Sequence, residues 1–374
     1  MADTRSARQE RGAGNPRQER GAMTSQERVR TAISRRVPDR VPITDGPWAA
    51  TVRRWEDEGL PQGKSAADHF GYEIVTIGAD TSPRFPVKVL EENDEYIMET
   101  TQTGGIRRNH RDYSTTPEIV DCPIKKPEDW PAIRERLKPD IKRMDWASAW
   151  NTYQNARERG LYVVYGVASG YDLLQSYARS EHLLNFMALE PELVKEMVDI
   201  TSDLALECAQ MMYEEGFHFD GAWFYNDMGY RNSSLFSPAM YRDLIAPADR
   251  RRNDWFHEHG MQTILHSCGC VKGLIPSLID AGFDCLQPLE VKAGMDLREL
   301  KPQYGERIAF FGGVNTMLME DPDESKIEEE IRVKFAAAMP GGGYLYHSDH
   351  SIPKDVSFAR YTFVMECVRK YGRY

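Results

Sequence analysis

His266 and Cys268 stand two residues apart, directly after the apolar run that ends at Leu265, and Gly269 follows them. Imidazole and thiolate are the ligand types zinc prefers. A buried strand that ends in a sharp glycine turn can bring both side chains to one centre. The plainer alternative is a buried cysteine beside a core histidine. Two ligands do not make a site, so a third donor must come from elsewhere in the chain. His350, in Ser348-Asp349-His350-Ser351, is the candidate, and its neighbour Asp349 could hold the imidazole in one tautomer. Three protein ligands with one open position would form a catalytic zinc site, which activates a bound thiol or water.

Such residues need a scaffold. Short apolar runs recur at 41–44, 73–77, 162–167, 221–225, 262–265, 283–287, 308–311 and 344–346. Helical patterns separate them, among them 182–213, 238–259, 271–280, 323–338 and 358–370. Eight strand-then-helix units predict a (β/α)8 TIM barrel, with a doubly wound open sheet as the alternative. Residues 87–99 alternate and are followed by Thr103-Gly104-Gly105-Ile106, which predicts a β-hairpin inserted after the second strand and roofing the site. Thr24 and Glu27 form a capping box that opens a helix through about residue 34. Residues 1–22 are polar and repeat Arg-Gln-Glu-Arg-Gly-Ala, and read as a disordered tail ahead of one barrel domain over 23–374. Met23 is then a candidate translation start.

Barrel enzymes keep their working residues at the C-terminal ends of the strands. Reading those ends in order gives Asp45 and Trp48, then Asp80, then Asn226, Asp227 and Tyr230. After His266 and Cys268 come Glu290 and Lys292, Asn315, and finally His347, Asp349 and His350. Asp227, Glu290, Asp80 and Asp349 are candidates for proton handling. Trp48, Asn226, Lys292 and Asn315 are candidates for holding substrate. Simpler roles compete: Asp45 as a helix cap, Asp80 as a turn residue, Glu290 and Lys292 as a loop ion pair.

Composition narrows the partners. The chain has 374 residues, 41% hydrophobic and 28% charged, with a net charge of -11. That balance leaves no basic stripe for nucleic acid or an anionic membrane surface. No run approaches the roughly 18 apolar residues that span a bilayer. Six scattered cysteines without a CxxC pair predict free thiols and a cytoplasmic setting.

Residues 23–32, Pro38-Asp39-Arg40-Val41-Pro42-Ile43, Leu265 to Gly269, Phe311 to Asn315, and Gly342 to Pro353 together resemble the uroporphyrinogen decarboxylase superfamily, from about residue 23 to the end. The resemblance implies a (β/α)8 barrel and one of two chemistries. Corrinoid-linked zinc methyltransferases of the superfamily use His-x-Cys after strand five and a cysteine after strand eight. His266 and Cys268 match the former, and His350 stands near the latter. That branch implies zinc, a small-molecule substrate and a corrinoid or corrinoid protein as methyl carrier. Asp227 and Glu290 would then orient substrate or shuttle protons. The decarboxylase branch needs no metal. It would use Asp80 to stabilise a cationic intermediate and His350 to anchor a carboxylate, but its arginine motif is replaced by Thr44-Asp45-Gly46-Pro47-Trp48. A barrel that binds a corrinoid or partner without turnover is the third reading. The superfamily also admits a homodimer.

Overall fold

The computed structural model describes residues 22–113 and 116–374. Nearly all of the expected tail, 1–21, lies outside the described residues. Seven strands form one parallel sheet in the order β1, β6, β7, β8, β9, β10, β11. In chain order, β1 is Ile74–Ile77, β6 Tyr162–Ala168, β7 Gly221–Tyr225 and β8 Gln262–His266. β9 is Cys285–Gln287, β10 Ala309–Phe311 and β11 Tyr344–Leu345. Between β1 and β6 lie β2 (Val89–Glu92), β3 (Tyr96–Thr100), β4 (Ile106–His110) and β5 (Glu118–Asp121), an antiparallel sheet of their own. The expected hairpin is thus its first half. Thr116, just before β5, reaches the wall of the central cavity.

The first expected strand, 41–44, forms no regular ladder. Pro42 has no N–H to give, and the Ile43 N–H donates to the Glu73 carboxylate at 2.7 Å instead of to a carbonyl. The segment still bonds to both edges of the sheet. Thr44 N–H donates to Tyr346 O (3.2 Å), Tyr346 N–H to Pro42 O (2.9 Å), and Glu73 N–H to Ile43 O (2.8 Å).

Side chains alternate across each strand. One set, including Tyr162, Val164, Trp223, Ile264, Phe311 and Leu345, packs into a single inner cluster. Val29, Ala32 and Ile33 of helix Ser25–Ile33 join it. That helix starts where the capping box predicts: Thr24 Oγ1 accepts from Glu27 N–H at 3.2 Å, and Glu27 returns a bond to Thr24 N–H at 2.9 Å. The opposite set packs under the outer helices. Two long expected helices are each split by a proline at the start of the second half. Gly170–Leu189 gives way to Pro191–Glu214, and Pro238–Leu244 to Ala246–Glu258. Among the described residues no helix is long and apolar enough to cross a membrane. All six cysteines are free, and only Cys268 is not fully buried.

Candidate metal centre

Three neighbouring strands end on one rung. Tyr225 pairs in register with His266, and His266 with Gln287. These side chains, with Thr76 and His347, line a cavity of about 490 Å³ at the C-terminal edge of the sheet. That size suits a small molecule. Trp48, Tyr72 and Trp223 complete an aromatic wall.

On one side of this cavity His266, Cys268 and Asp227 bring one donor atom each within 4.8 Å of one another. His266 Nε2 lies 3.5 Å from Cys268 Sγ and 3.4 Å from Asp227 Oδ1. Ligands around a tetrahedral zinc, with bonds of about 2.0–2.1 Å to N or O and about 2.3 Å to S, stand about 3.6 Å (N to S) and about 3.4 Å (N to O) apart. The observed spacings fit. Asp227 Oδ1 also accepts from the Cys268 N–H at 2.7 Å, which fixes the carboxylate against the loop.

The imidazole is prepared from behind. Its Nδ1–H donates to Gln287 Oε1, leaving Nε2 as the free lone pair facing Cys268 and Asp227. Burial holds the His266 pKa below its ordinary value, which favours the neutral, ligating form. Cys268 is pushed well above its ordinary value by burial, then by Asp227, Glu290 and Asp172. A thiolate among three carboxylates requires a cation beside it. Asp172 itself is pushed up to about 7 by burial and by Asp227. The donor set therefore has the chemistry and spacing of a site for a divalent ion.

Gly269 and Gly229 shape the loop. Gly269 has φ +75°, and a Cβ there would sit 2.4 Å from the Gly229 carbonyl carbon. Gly269→Ala is expected to cost about 2–5 kcal/mol, from left-handed backbone strain and overpacking. Chemical denaturation measures it, and a loss below about 1 kcal/mol would mean the two loops separate freely.

The remaining expected site residues divide. His350 lines the inner cavity but turns toward Trp48, with ring centroids 6.2 Å apart. It brings no nitrogen within 4.8 Å of both His266 and Cys268; the third donor atom of that cluster belongs to Asp227. The ring Nδ1 of His350 lies 3.3 Å from Ser351 O, in a loop where Ser348 Oγ also donates to the His350 carbonyl at 2.6 Å. Asp349 does not orient His350. Its buried carboxylate accepts from Val291 N–H (2.9 Å), Thr316 N–H (2.9 Å) and Thr316 Oγ1 (3.0 Å), joining the loops after β9 and β10. Glu290 accepts from Gly269 N–H at 2.6 Å and pairs with Lys292 at 2.9 Å, so it braces the metal loop. Asn226 is fully buried and accepts from Asp172 N–H at 3.2 Å, a packing role beneath Asp227. Asp80 lies outside the cavity, accepting from Ser82 N–H and pairing with Arg84 at 3.2 Å. Asn315 caps helix Thr316–Met319 through Met317 N–H, away from the cavity.

Gln287, which the strand-end reading passed over, now stands out, together with Asp45 and His347, which that reading named without a chemical role. Gln287 follows Leu286 as the last residue of a strand, so the strand-end rule could have found it. Asp45 is buried and accepts from Tyr361 OH (2.8 Å), Gly46 N–H (3.0 Å) and Ser348 N–H (3.3 Å). His347 donates through Nδ1 to Ser348 O at 2.6 Å and lies 3.4 Å from Asp45 Oδ1. Its Nε2 is left as an acceptor on the cavity wall. Removing the bond behind the metal-facing imidazole should be measurable. Gln287→Met is expected to keep the fold and weaken zinc binding about 10–100-fold, read by competition with a chromophoric chelator. Unchanged affinity would mean Gln287 does not set the tautomer.

The family described as uroporphyrinogen decarboxylase (URO-D) matches residues 113–371. No curated protein matches the chain significantly. Among solved structures, a methyltransferase from Methanosarcina mazei superposes with a TM-score of 0.66 at 16% identity, covering 93% of this chain and 99% of that one. A putative vitamin-B12 independent methionine synthase from Listeria monocytogenes gives 0.35 at 9% identity, covering 88% and 99%. A sugar phosphate isomerase/epimerase from Parabacteroides distasonis also gives 0.35, at 11% identity, covering 87% and 92%. At these identities the likeness to the Methanosarcina protein is one of fold.

Proposed function

Because the chain belongs to the uroporphyrinogen decarboxylase (URO-D) family, we propose that it is a closed (β/α)8 enzyme of the zinc-dependent methyltransferase kind, moving a methyl group from a small donor or corrinoid carrier to a thiol. The observation that carries this reading is the His266, Cys268 and Asp227 trio, with Cys268 Sγ and Asp227 Oδ1 each at tetrahedral ligand spacing from His266 Nε2. The hydrogen bonds of 42–44 to both β1 and β11 support the closed ring. Bound at the trio, zinc would lower the pKa of a thiol held at the open position.

The chain's own residues supply the rest. Gln287 keeps Nδ1–H of His266 engaged, so Nε2 serves the ion. His347, its Nδ1 anchored by the Ser348 carbonyl and backed by Asp45, offers Nε2 to take the thiol proton. Trp48, Trp223 and Tyr225 give the donor an apolar, water-poor wall. Asp80 and the missing arginines count against the decarboxylase reading, since Asp80 is spent on Arg84 outside the cavity.

The test uses zinc-loaded protein, methylcobalamin and 2-mercaptoethanol, followed by visible absorbance. Loss of the methylcobalamin spectrum, abolished in Cys268→Ser, is the expected result. Carbon dioxide release from a carboxylated substrate, unaffected by chelator, would replace this reading with the decarboxylase one.

A further inference from the structure

The donor trio has a cavity on each face. Asp227 and Cys268 line the inner cavity and also a second one of about 660 Å³. The outer cavity is walled by Gly229, Tyr230 and Arg231 after β7 and by Glu290, Lys292 and Ala293 after β9. Both walls are tied to the metal loop. Gly229 N–H donates to Cys268 O (3.2 Å), Cys270 N–H to Tyr230 O (2.7 Å), and Gly269 N–H to Glu290 (2.6 Å). The backbone that shapes Cys268 therefore also shapes this cavity.

With a divalent ion held by the trio, the charges around this cavity would not cancel. Glu290 is neutralised by Lys292 at 2.9 Å. The Asp227 carboxylate and Cys268 thiolate would balance a divalent ion with a neutral His266. Arg231 is left over: among the described residues no acidic group pairs with it. Beside it Tyr230 is 60% exposed, an unusual setting for a large ring. Among the described residues, the inner cavity, with its aromatic wall and imidazoles, is lined by no such cation.

We infer that the outer cavity is a second ligand site, for a small molecule with a carboxylate-type anionic group held by Arg231 and an apolar portion against Tyr230. Such a ligand reaches the metal centre from the face opposite the inner cavity, so two reactants can meet there. The inference rests on the metal reading above.

Titration calorimetry of zinc-loaded protein tests it with 3-mercaptopropionate, 2-mercaptoethanol and cysteamine as anionic, neutral and cationic thiol probes. The wild type is expected to bind 3-mercaptopropionate about tenfold more tightly than 2-mercaptoethanol. Arg231→Gln is expected to lose that preference with one zinc per chain retained, and Arg231→Lys to keep most of it. A preference unchanged in Arg231→Gln, or absent from the wild type, overturns the anion site and leaves the metal reading standing. If zinc does not bind, the metal reading falls and a second arm decides the anion site. In metal-free protein Cys268 is the accessible thiol. Its labelling by sulfonatoethyl relative to trimethylammonioethyl methanethiosulfonate should fall about threefold or more in Arg231→Gln. An equal ratio overturns the proposal.

Discussion

Protein purified with zinc under reducing conditions is expected to carry about one zinc per chain, and Cys268→Ser to lose it. The thiolate is the ligand that an alcohol replaces worst, because serine stays protonated where cysteine ionises beside the metal. Asp227→Asn should also weaken binding strongly. It removes the negative charge while sparing the shape, and its amide can turn a donor toward the ion. His350→Ala separates two geometries. With Asp227 as third ligand, zinc stays; with His350 as third ligand, it goes. The expected result is retention, measured by metal analysis after extensive dialysis. Affinity should also rise with pH. The free thiol is pushed above its ordinary value by burial and by Asp227, Glu290 and Asp172, so a proton must leave as the ion enters. Apparent zinc affinity should increase about tenfold per pH unit while that thiol is protonated. A zinc-free wild type, or zinc that survives Cys268→Ser, would end the metal reading.

The donor cluster was legible where a strand runs straight into candidate ligands. His266 and Cys268 announce themselves because apolar alternation stops and two ligand types follow. Asp227 could be read as a strand-end carboxylate, but not as a member of the donor cluster. Its place depends on the Cys268 N–H that holds it, and on the register of β7 against β8. His350 stands apart from the donor cluster for the opposite reason. It is near in ring order, yet its ring and carbonyl are engaged within residues 348–351, and spacing does not reveal these contacts. Asp349, Glu290 and Asn315 were read as chemistry because carboxylates and amides after strands look alike in sequence. Only the positions of the backbone N–H groups show them as loop braces and caps.

The fold was more legible than the site, because burial patterns repeat over many residues and hydrogen-bond partners do not. Seven of the eight expected strands form ladders where the apolar runs lie. The eighth, at 41–44, carries the right composition but contains Pro42, which removes a donor, and meets a side chain that competes for the next one. The insertion was underestimated because Ile106–His110 is mostly polar, so its strands lack the apolar alternation that marks a buried face. The split helices follow from Pro191 and Pro247, each tolerated in a first turn and disfavoured deeper in.

Glu73→Ala should be the most damaging change away from the site, lowering stability by about 3–5 kcal/mol. Glu73 is 1% exposed and does three jobs. One carboxylate oxygen pairs with the buried Arg28 of the helix that packs with the inner cluster. The other accepts from Arg40 at 2.8 Å and from the Ile43 N–H at 2.7 Å. Alanine removes one of two carboxylates from a buried guanidinium, leaving it Asp39 at 2.6 Å and the Met23 carbonyl at 2.5 Å, and leaves the Ile43 N–H unsatisfied at the seam between β1 and β11. Glu73→Gln tells these losses apart. Its amide oxygen can still accept from Ile43, so backbone satisfaction survives while the charge does not, and it should cost clearly less than alanine. Glu73→Leu should resemble alanine, because filling the volume does not restore an acceptor. Chemical denaturation of the three variants measures this order. Equal stability of alanine and wild type would mean that the seam is held by the outer helices alone, and that the carboxylate is incidental to joining 41–44 to the sheet.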